Sequence, residues 1–361
     1  MNILYLLFSF TTGGTERLIT DICNQMIKQN HNVHLFIVND LYSQNMLQAV
    51  NPAVKIHLYG RPVGGKKLKT ILDITKYIRN NRIQVVHCNS FDAPELLLLQ
   101  PIAFPKVKIL HTIHDVGQYK KLGKLKIALR NLICDRFVAI SQCVKDDIIQ
   151  YGANAGKVHV VYNAIDLTRF QPASRSHNPN DNFRIGSVAR IMPEKKGQDV
   201  LLEAIGLIHK KYPKIQCVFA GEPDTAHQEA FCQLKETARA LDIADQVSFL
   251  GNVDDVPGLL ATLDVFVLPS RYEGFGISLV EAMAMGIPCI ASCLDGPAEV
   301  LQNGKYGLLF PVGNAQELAL KLEQLIEDYA TYKTSATETI QYVKTQYNIV
   351  NMCAQLEALM N

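Results

Sequence analysis

The sequence predicts an α/β protein built from two doubly wound domains in tandem, facing a central cleft and followed by a helical tail. Three observations carry this. Apolar runs of four to six residues, rich in Val, Ile and Leu, alternate with longer stretches of helical period through most of the 361 residues. Such near-continuous runs suit strands buried on both faces, the signature of a parallel sheet covered by helices. The alternation is broken once, by the polar segment QPASRSHNPNDN at 171–182, and a chain of this length exceeds what one core ordinarily organises.

Taken in order, the first run is Ile3–Phe8. The apolar stretch Met1 to Phe10 around it is too short to span a bilayer and lacks a basic leader or a small-residue cleavage site, so it reads as a buried first strand. Leu18, Ile22 and Met26 then recur every four residues, the mark of an amphipathic helix. The runs Val33–Val38, Lys55–Leu58, Gln84–His87, Lys108–Thr112, Phe137–Ile140 and His159–Tyr162 complete a first series. After 171–182 a second begins: Arg184–Val188, Ile215–Ala220, Gln246–Leu250, Asp264–Leu268, Pro288–Ala291 and Gly307–Phe310. The last fifty residues have helical period and no strand. Expected boundaries are therefore a first domain at 1–170, a linker at 171–182, a second domain at 183–340 and a final helical segment at 341–361. Doubly wound sheets hold ligands at the carboxyl ends of their strands, which puts the expected site at the cleft.

Composition narrows the function. The nine cysteines are scattered, odd in number and free of Cys-x-x-Cys, so they read as reduced thiols serving as small hydrophobes in a reducing compartment. Residues 1–180 hold 22 Lys and Arg against 11 Asp and Glu, a net +11; residues 181–361 hold 14 against 23, a net −9. That asymmetry suggests a first domain that faces something anionic.

Three stretches carry chemistry. Gly13-Gly14 follows the first strand, with Thr15 positioned to cap the next helix; free amides at a helix start suit a phosphate, although a tight strand-to-helix turn needs glycine on its own account. No G-x-G-x-x-G occurs, and Gly152 to Lys157 is one residue short of a Walker A loop. The strand Arg184–Val188 runs into Ala189-Arg190-Ile191-Met192-Pro193-Glu194-Lys195-Lys196-Gly197, which delivers a guanidinium and ammonium groups of the kind a diphosphate needs. A solvated turn with Glu194 neutralising one lysine fits the same residues. The third stretch, Pro269 to Gly286, turns through Gly274 and Gly276 into a helix where Glu281 stands among Val, Ala and Met. A carboxylate in such company is costly without hydrogen-bond donors, and ribose hydroxyls are suitable ones.

With these residues in hand, the chain resembles family 4 of the GT-B glycosyltransferases, the retaining, Leloir-type group of two Rossmann-like domains. The resemblance rests on the E-x7-E pattern of Glu273 and Glu281 with Gly-Phe-Gly inside it, on Gly13-Gly14, on Arg190 with Lys196-Gly197, on Ile113-His114-Asp115, on Tyr162-Asn163-Ala164-Ile165-Asp166, and on Gly296-Pro297-Ala298-Glu299-Val300. It implies that Arg190 and Lys196 grip the donor diphosphate, helped by backbone amides at Gly13, Gly14, Phe275, Gly276 and Ile277. It implies that Glu281 holds the ribose, that Val253 in Gly251-Asn252-Val253 lies against the base, and that Glu273 and His114 are the catalytic pair near the transferred sugar. The first domain would be the acceptor side, the second would bind the nucleotide sugar, and the final helix would return to the first domain. Residue 164 is Ala where the family commonly has Gly, Lys195-Lys196 doubles the basic residue, and Asp295-Gly296-Pro297 replaces a Gly-Gly turn.

No D-x-D occurs in the sequence, so no metal and no cofactor is expected; cations and helix starts would stabilise the leaving diphosphate where domain closure excludes water. The nucleotide sugar, UDP-linked by preference, is then a substrate. The expected acceptor is a saccharide or lipid-linked saccharide in bacterial envelope polysaccharide synthesis, met in the cytoplasm or at the inner face of its membrane. Lys120, Lys121, Lys124, Lys126 and Arg130, interleaved with Leu122, Leu125, Ile127 and Leu129, fit either an interfacial helix on anionic lipid or a solvated basic helix. A sugar-nucleotide epimerase or a phosphorylase on the same fold, and a non-enzymatic polyanion binder, are the alternatives; nucleic acid is not an expected partner, because the basic residues lack interleaved aromatics.

Overall fold

The computed structural model describes residues 1–172 and 182–361, so most of the segment expected as a linker lies outside the described residues. The chain divides into two compact units, Met1–Ile165 with Ile349–Asn361, and Asp166–Asn348. Both are α/β, and each holds one all-parallel sheet.

The first sheet has seven strands: β1 (Asn2–Leu7), β2 (Asn32–Asn39), β3 (Lys55–Arg61), β4 (Val85–Cys88), β5 (Lys108–Ile113), β6 (Arg136–Ala139) and β7 (Val158–Val160), in the spatial order β3-β2-β1-β4-β5-β6-β7. The second has six: β8 (Phe183–Val188), β9 (Ile215–Ala220), β10 (Val247–Phe249), β11 (Val265–Leu268), β12 (Cys289–Ser292) and β13 (Leu308–Phe310), in the order β10-β9-β8-β11-β12-β13. Every strand overlaps a run read from the sequence. The central strands are apolar because helices cover both their faces: β4, β11 and β12 are buried throughout. Strand β3, at an edge, alternates exposed and partly covered residues instead.

Each sheet winds outward in both directions from its first strand. Ile3 pairs with Val33 of β2 on one side and with Val85 of β4 on the other. Ile185 of β8 pairs likewise with Cys217 of β9 and Val265 of β11. The crossovers leave in opposite directions at these two places, which are the switch points where doubly wound sheets hold ligands at the carboxyl ends of their strands.

Helix Gly14–Lys28 buries Leu18, Ile19, Ile22, Cys23 and Met26. Each fully buried aliphatic side chain of this kind is worth about 1.5–3 kcal/mol. The terminal helix Ile349–Met360 packs on it, with Met352, Cys353, Leu356 and Met360 buried. Its first amide donates to the Ile165 carbonyl at 3.1 Å, and Glu357 meets His31 at 3.2 Å. Helix Ala336–Gln346 packs against helix Ile277–Ala284 in the second unit, so the chain leaves that unit after Asn348, later than the expected 340. The core of the second unit gathers Ile185, Leu201, Ile205, Phe219, Val265 and Leu322 from the sheet and two flanking helices. All nine cysteines are free thiols, six of them buried. No helix among the described residues is long and apolar enough to cross a membrane.

Candidate active site

In the second unit the switch point lies between β8 and β11, and the loops that leave these strands carry most of the residues singled out by the sequence. Past β8, exposed Arg190 leads into the turn Pro193–Lys196 and helix Gln198–Ile208. Gly197 joins turn to helix at φ +67, and a Cβ there would stand 1.9 Å from the Pro269 carbonyl oxygen. Only glycine permits this approach. It lets the β11 loop lie directly on the turn: the amides of Arg271 and Tyr272 donate to the Lys195 carbonyl at 2.8 and 3.2 Å. The Arg271 guanidinium completes the clasp, with both carboxylate oxygens of Asp199 at 2.7 Å and the Pro193 carbonyl at 2.8 Å. Buried Gln198 donates to the Arg190 carbonyl at 2.9 Å and fixes the other end of the turn.

This packing brings Lys196 and Glu273 together, with Nζ 2.7 Å from Oε2 and both side chains mostly covered. It also separates the doubled lysines: the Lys195 carbonyl anchors the loop, while the Lys196 ammonium reaches Glu273. Glu194 does not neutralise a lysine in this arrangement. Its carboxylate accepts from His227 Nε2 at 2.7 Å, and Asp224 takes the other ring nitrogen. Hydrogen bonding to Asp224, with Glu194 adding to it, raises the His227 pKa, while His227 first and Arg190 further off hold Asp224 low.

The β11 loop ends at Gly276, φ +98, which opens helix Ile277–Ala284. The first intrahelical bond is from Leu279 to the Gly276 carbonyl, so the amides of Ile277 and Ser278 precede it at the positive end of the helix. Glu281 is half-buried between Val280 and Ala282, which are fully covered. Helix Asp295–Val300 presses on the same loop: a Cβ at Gly296 would stand 2.5 Å from the Gly274 carbonyl carbon. The Asp-Gly-Pro sequence therefore keeps glycine at the position where backbone meets backbone. Val253 follows β10, where Gly221 donates to the Gly251 carbonyl at 2.7 Å and Asn252 to Glu222 at 2.8 Å. Gly221 itself, φ +132, touches the Ala189 carbonyl, a contact that leaves no room for a Cβ. The loops of Arg190, Val253 and Glu273 thus share one end of one sheet.

The first unit holds the remaining three residues. Gly13 is the cap residue of helix Gly14–Lys28, in an extended conformation and without a side-chain cap bond. Thr15, expected as the cap, falls inside the first turn, because the helix begins two residues earlier than a cap at Thr15 would place it. His114 follows β5, and both of its ring nitrogens are shielded without a hydrogen-bond partner among the described residues. Burial lowers its pKa to about 4 against the opposing pull of Asp115, so the imidazole is neutral near pH 7. His87, 2.6 Å from Thr112 Oγ1, is lowered further by burial, to about 3, and buried His111 is neutral for the same reason.

Residues 12–169 match the family model described as Glycosyltransferase Family 4, and residues 170–345 match that described as Glycosyl transferases group 1. The two meet end to end and leave only the termini outside. The chain belongs to family 4 of the GT-B glycosyltransferases. N-acetyl-alpha-D-glucosaminyl L-malate synthase of Bacillus anthracis is 26% identical over 97% of this chain and 94% of its own length. D-inositol 3-phosphate glycosyltransferase of Salinispora tropica is 32% identical over 62% of this chain and 52% of its own. Among solved structures, Anabaena Alr3699/HepE in complex with UDP and glucose aligns with a TM-score of 0.85 at 23% identity, covering 99% of this chain and 98% of that one.

Within this glycosyltransferase, sequence reasoning missed the Arg271–Asp199 clasp and the packing roles of Gly197, Gln198 and Gly296. The clasp joins residues 72 apart in the chain, and no local pattern links them. A signal did exist for Gly197, which stands between a basic turn and a helix start.

Proposed function

We propose that this glycosyltransferase is retaining, takes its sugar from a UDP-sugar without a metal ion, and passes a hexosyl or N-acetylhexosaminyl group to a saccharide or lipid-linked acceptor in bacterial envelope polysaccharide synthesis. The observation that carries the reading is the ion pair of Lys196 and Glu273, 2.7 Å apart beside the glycine-opened start of helix Ile277–Ala284. A cation and a helix start suit a diphosphate, and the carboxylate suits sugar hydroxyls.

In this reading Arg190 and Lys196 neutralise the charge that grows on the leaving diphosphate, with the amides of Phe275, Gly276 and Ile277 aimed at the same oxygens. On the first unit, Gly13 and Gly14 add their own amides. Glu281 accepts from the ribose hydroxyls, and Val253 packs against the base. As the glycosidic bond breaks, the acceptor oxygen attacks from the face the leaving group vacates, and the departing phosphate oxygen takes the acceptor's proton. Glu273 and neutral His114 hydrogen-bond the sugar as charge builds at its anomeric carbon. The complex of Anabaena Alr3699/HepE with UDP and glucose supports the donor class. The alpha linkage in the name of the Bacillus relative supports retention, given an α-linked donor.

Thermal denaturation with UDP-, GDP- and ADP-sugars in EDTA tests this. UDP-sugars at a hundredfold their Kd should stabilise the protein by about 2.7 kcal/mol with no magnesium present. A melting point unchanged across the panel would overturn the donor assignment. Turnover that stops in EDTA and returns with a divalent ion would overturn the metal-free mechanism, and an inverted product, read by NMR of the anomeric proton, would overturn retention.

A further inference from the structure

Glu194 is out of place on a turn that carries cations for a diphosphate. In the chain it stands between Arg190 and Lys196, on the turn Pro193–Lys196, where its carboxylate would repel the phosphates those cations attract. A residue from the next strand's loop turns it away. After β9 the chain passes through Asp224, whose side chain accepts from the Ala226 amide at 3.0 Å and caps the short turn Thr225–His227. That turn presents His227 with a carboxylate on each ring nitrogen: Nε2 meets Glu194 at 2.7 Å, and Nδ1 meets Asp224. An ionised carboxylate can only accept, and a neutral imidazole donates from one nitrogen alone. Both contacts are therefore hydrogen bonds only when His227 is doubly protonated. With one proton gone, a lone pair faces a carboxylate oxygen, and that contact must open. The imidazole is mostly covered while each acid keeps a side in water, so the acids are the groups with room to swing. The loop itself does not depend on this cluster for its place, since Ile191 donates to the Glu222 carbonyl at 3.1 Å and Ala189 to that of Ala220 at 2.9 Å.

We propose that His227 is a positioning residue for the donor: its imidazolium holds Glu194 and Asp224 off the phosphates, and the nucleotide sugar binds tightly only while His227 carries both protons. The inference rests on the reading that Arg190 and Lys196 receive the diphosphate. The charged groups that face the imidazole are Asp224 from its own turn and Glu194 from the β8 turn, while Arg190 acts on Asp224 and Arg271 on Glu194 from further off. With the proton, His227 and its two acids carry one net negative charge; without it they carry two. The hydrogen bond to Asp224 leads in raising the His227 pKa, so the proton is mostly kept at pH 6.5 and lost as pH rises. Donor affinity is then highest near pH 6.5 and falls above it. A sugar diphosphate esterified at both ends has no proton of its own to lose in that range, so the dependence belongs to the protein.

Titration calorimetry with UDP-glucose and with UDP-N-acetylglucosamine, on the full chain between pH 6.5 and pH 9, tests it. One unit of charge near the phosphates, screened by water, should raise the wild-type Kd about three- to tenfold across that range. By linkage, binding at pH 8 should take up protons, read as a heat that varies with the ionisation enthalpy of the buffer. His227→Gln leaves both acids unneutralised, so it should bind at pH 6.5 as weakly as the wild type does at pH 9, with no further pH dependence. Adding Glu194→Gln to it returns the cluster to one negative charge and should restore the affinity the wild type shows at pH 6.5. A pH-independent wild-type Kd would overturn the proposal, and so would a His227→Gln variant that keeps the wild-type slope. Failure of the added Glu194→Gln to restore binding would overturn it too, leaving His227 as a brace for its own loop. If neither sugar nucleotide bound at any pH, the donor reading beneath the proposal would fall with it, whereas tight binding with a flat profile sinks the proposal alone.

Discussion

The two units share the order of their first six strands, the first adding a seventh at its edge, yet they equip the mouths of their sheets in opposite ways. At β8 and β11 the second unit gathers charge. Arg190, Lys196 and Glu273 stand on loops that touch through backbone, with Gly197 against Pro269 and Gly296 against Gly274, and the Arg271–Asp199 pair holds them. At β4 and β5 the first unit gathers imidazoles that burial keeps neutral, His87, His111 and His114. One mouth is built on interlocked charges, and the other on imidazoles that burial keeps neutral. The difference teaches that a doubly wound sheet fixes where a ligand sits, while the loops decide what kind of ligand it is.

The comparison can be broken at its strongest point first. Lys196→Ala removes the ammonium that faces Glu273 and should lower kcat/KM by about 10²–10³-fold, the loss typical of one transition-state donor. Initial-rate kinetics on the transfer reaction would check it, and activity within a few-fold of wild type would mean the charged mouth is not the donor site. Gly197→Ala attacks the rigidity rather than the charge. A left-handed backbone and a Cβ forced against the Pro269 carbonyl should together cost about 3 kcal/mol of unfolding free energy, measured in urea. An unperturbed variant would show that the loops are not pressed together as described.

The pH dependence of stability tests the first unit. Burial lowers His34 to about 4, His87 to about 3 and His114 to about 4. For a base whose folded pKa lies below its unfolded value, the unfolded chain takes up the proton that the folded chain refuses. Stability is therefore whole above about pH 6.5 and declines as pH falls toward 4, by up to about 1.4 kcal/mol per pH unit for each group. In the second unit the sign is reversed, since His227 is raised and its ion pairs hold below pH 6.5. Calorimetry between pH 7 and pH 5 should show the first unit's transition moving down alone, and His87→Gln should flatten that shift. A parallel fall of both units would remove the distinction.

Much of this was legible in the sequence because the signals are local. A parallel strand buried on both faces writes itself as a run such as Val33–Val38 or Ile215–Ala220, and thirteen such runs became thirteen strands. Glu281 stood out because a carboxylate among Val, Ala and Met demands a partner, Arg190 and Lys196 because they bring cations to the end of a strand, and Glu273 through the spacing of the E-x7-E pattern. What escaped was whatever depends on two distant segments touching. The carboxylate of Asp199 looks like an ordinary helix-start acid until Arg271 arrives on it. The helix start at Gly13 rather than Thr15 escaped too, since a glycine cap leaves no side-chain signature.

The seam at Ile165 and Ile349 has a consequence for how the molecule is made. The first unit needs residues 349–361, which follow the second unit along the chain, so its opening helix waits with an apolar flank bare while the whole second unit emerges and folds. Expressing residues 1–165 alone would leave that flank in water, and any attempt to split the gene into halves has to carry the closing thirteen residues along with the front piece.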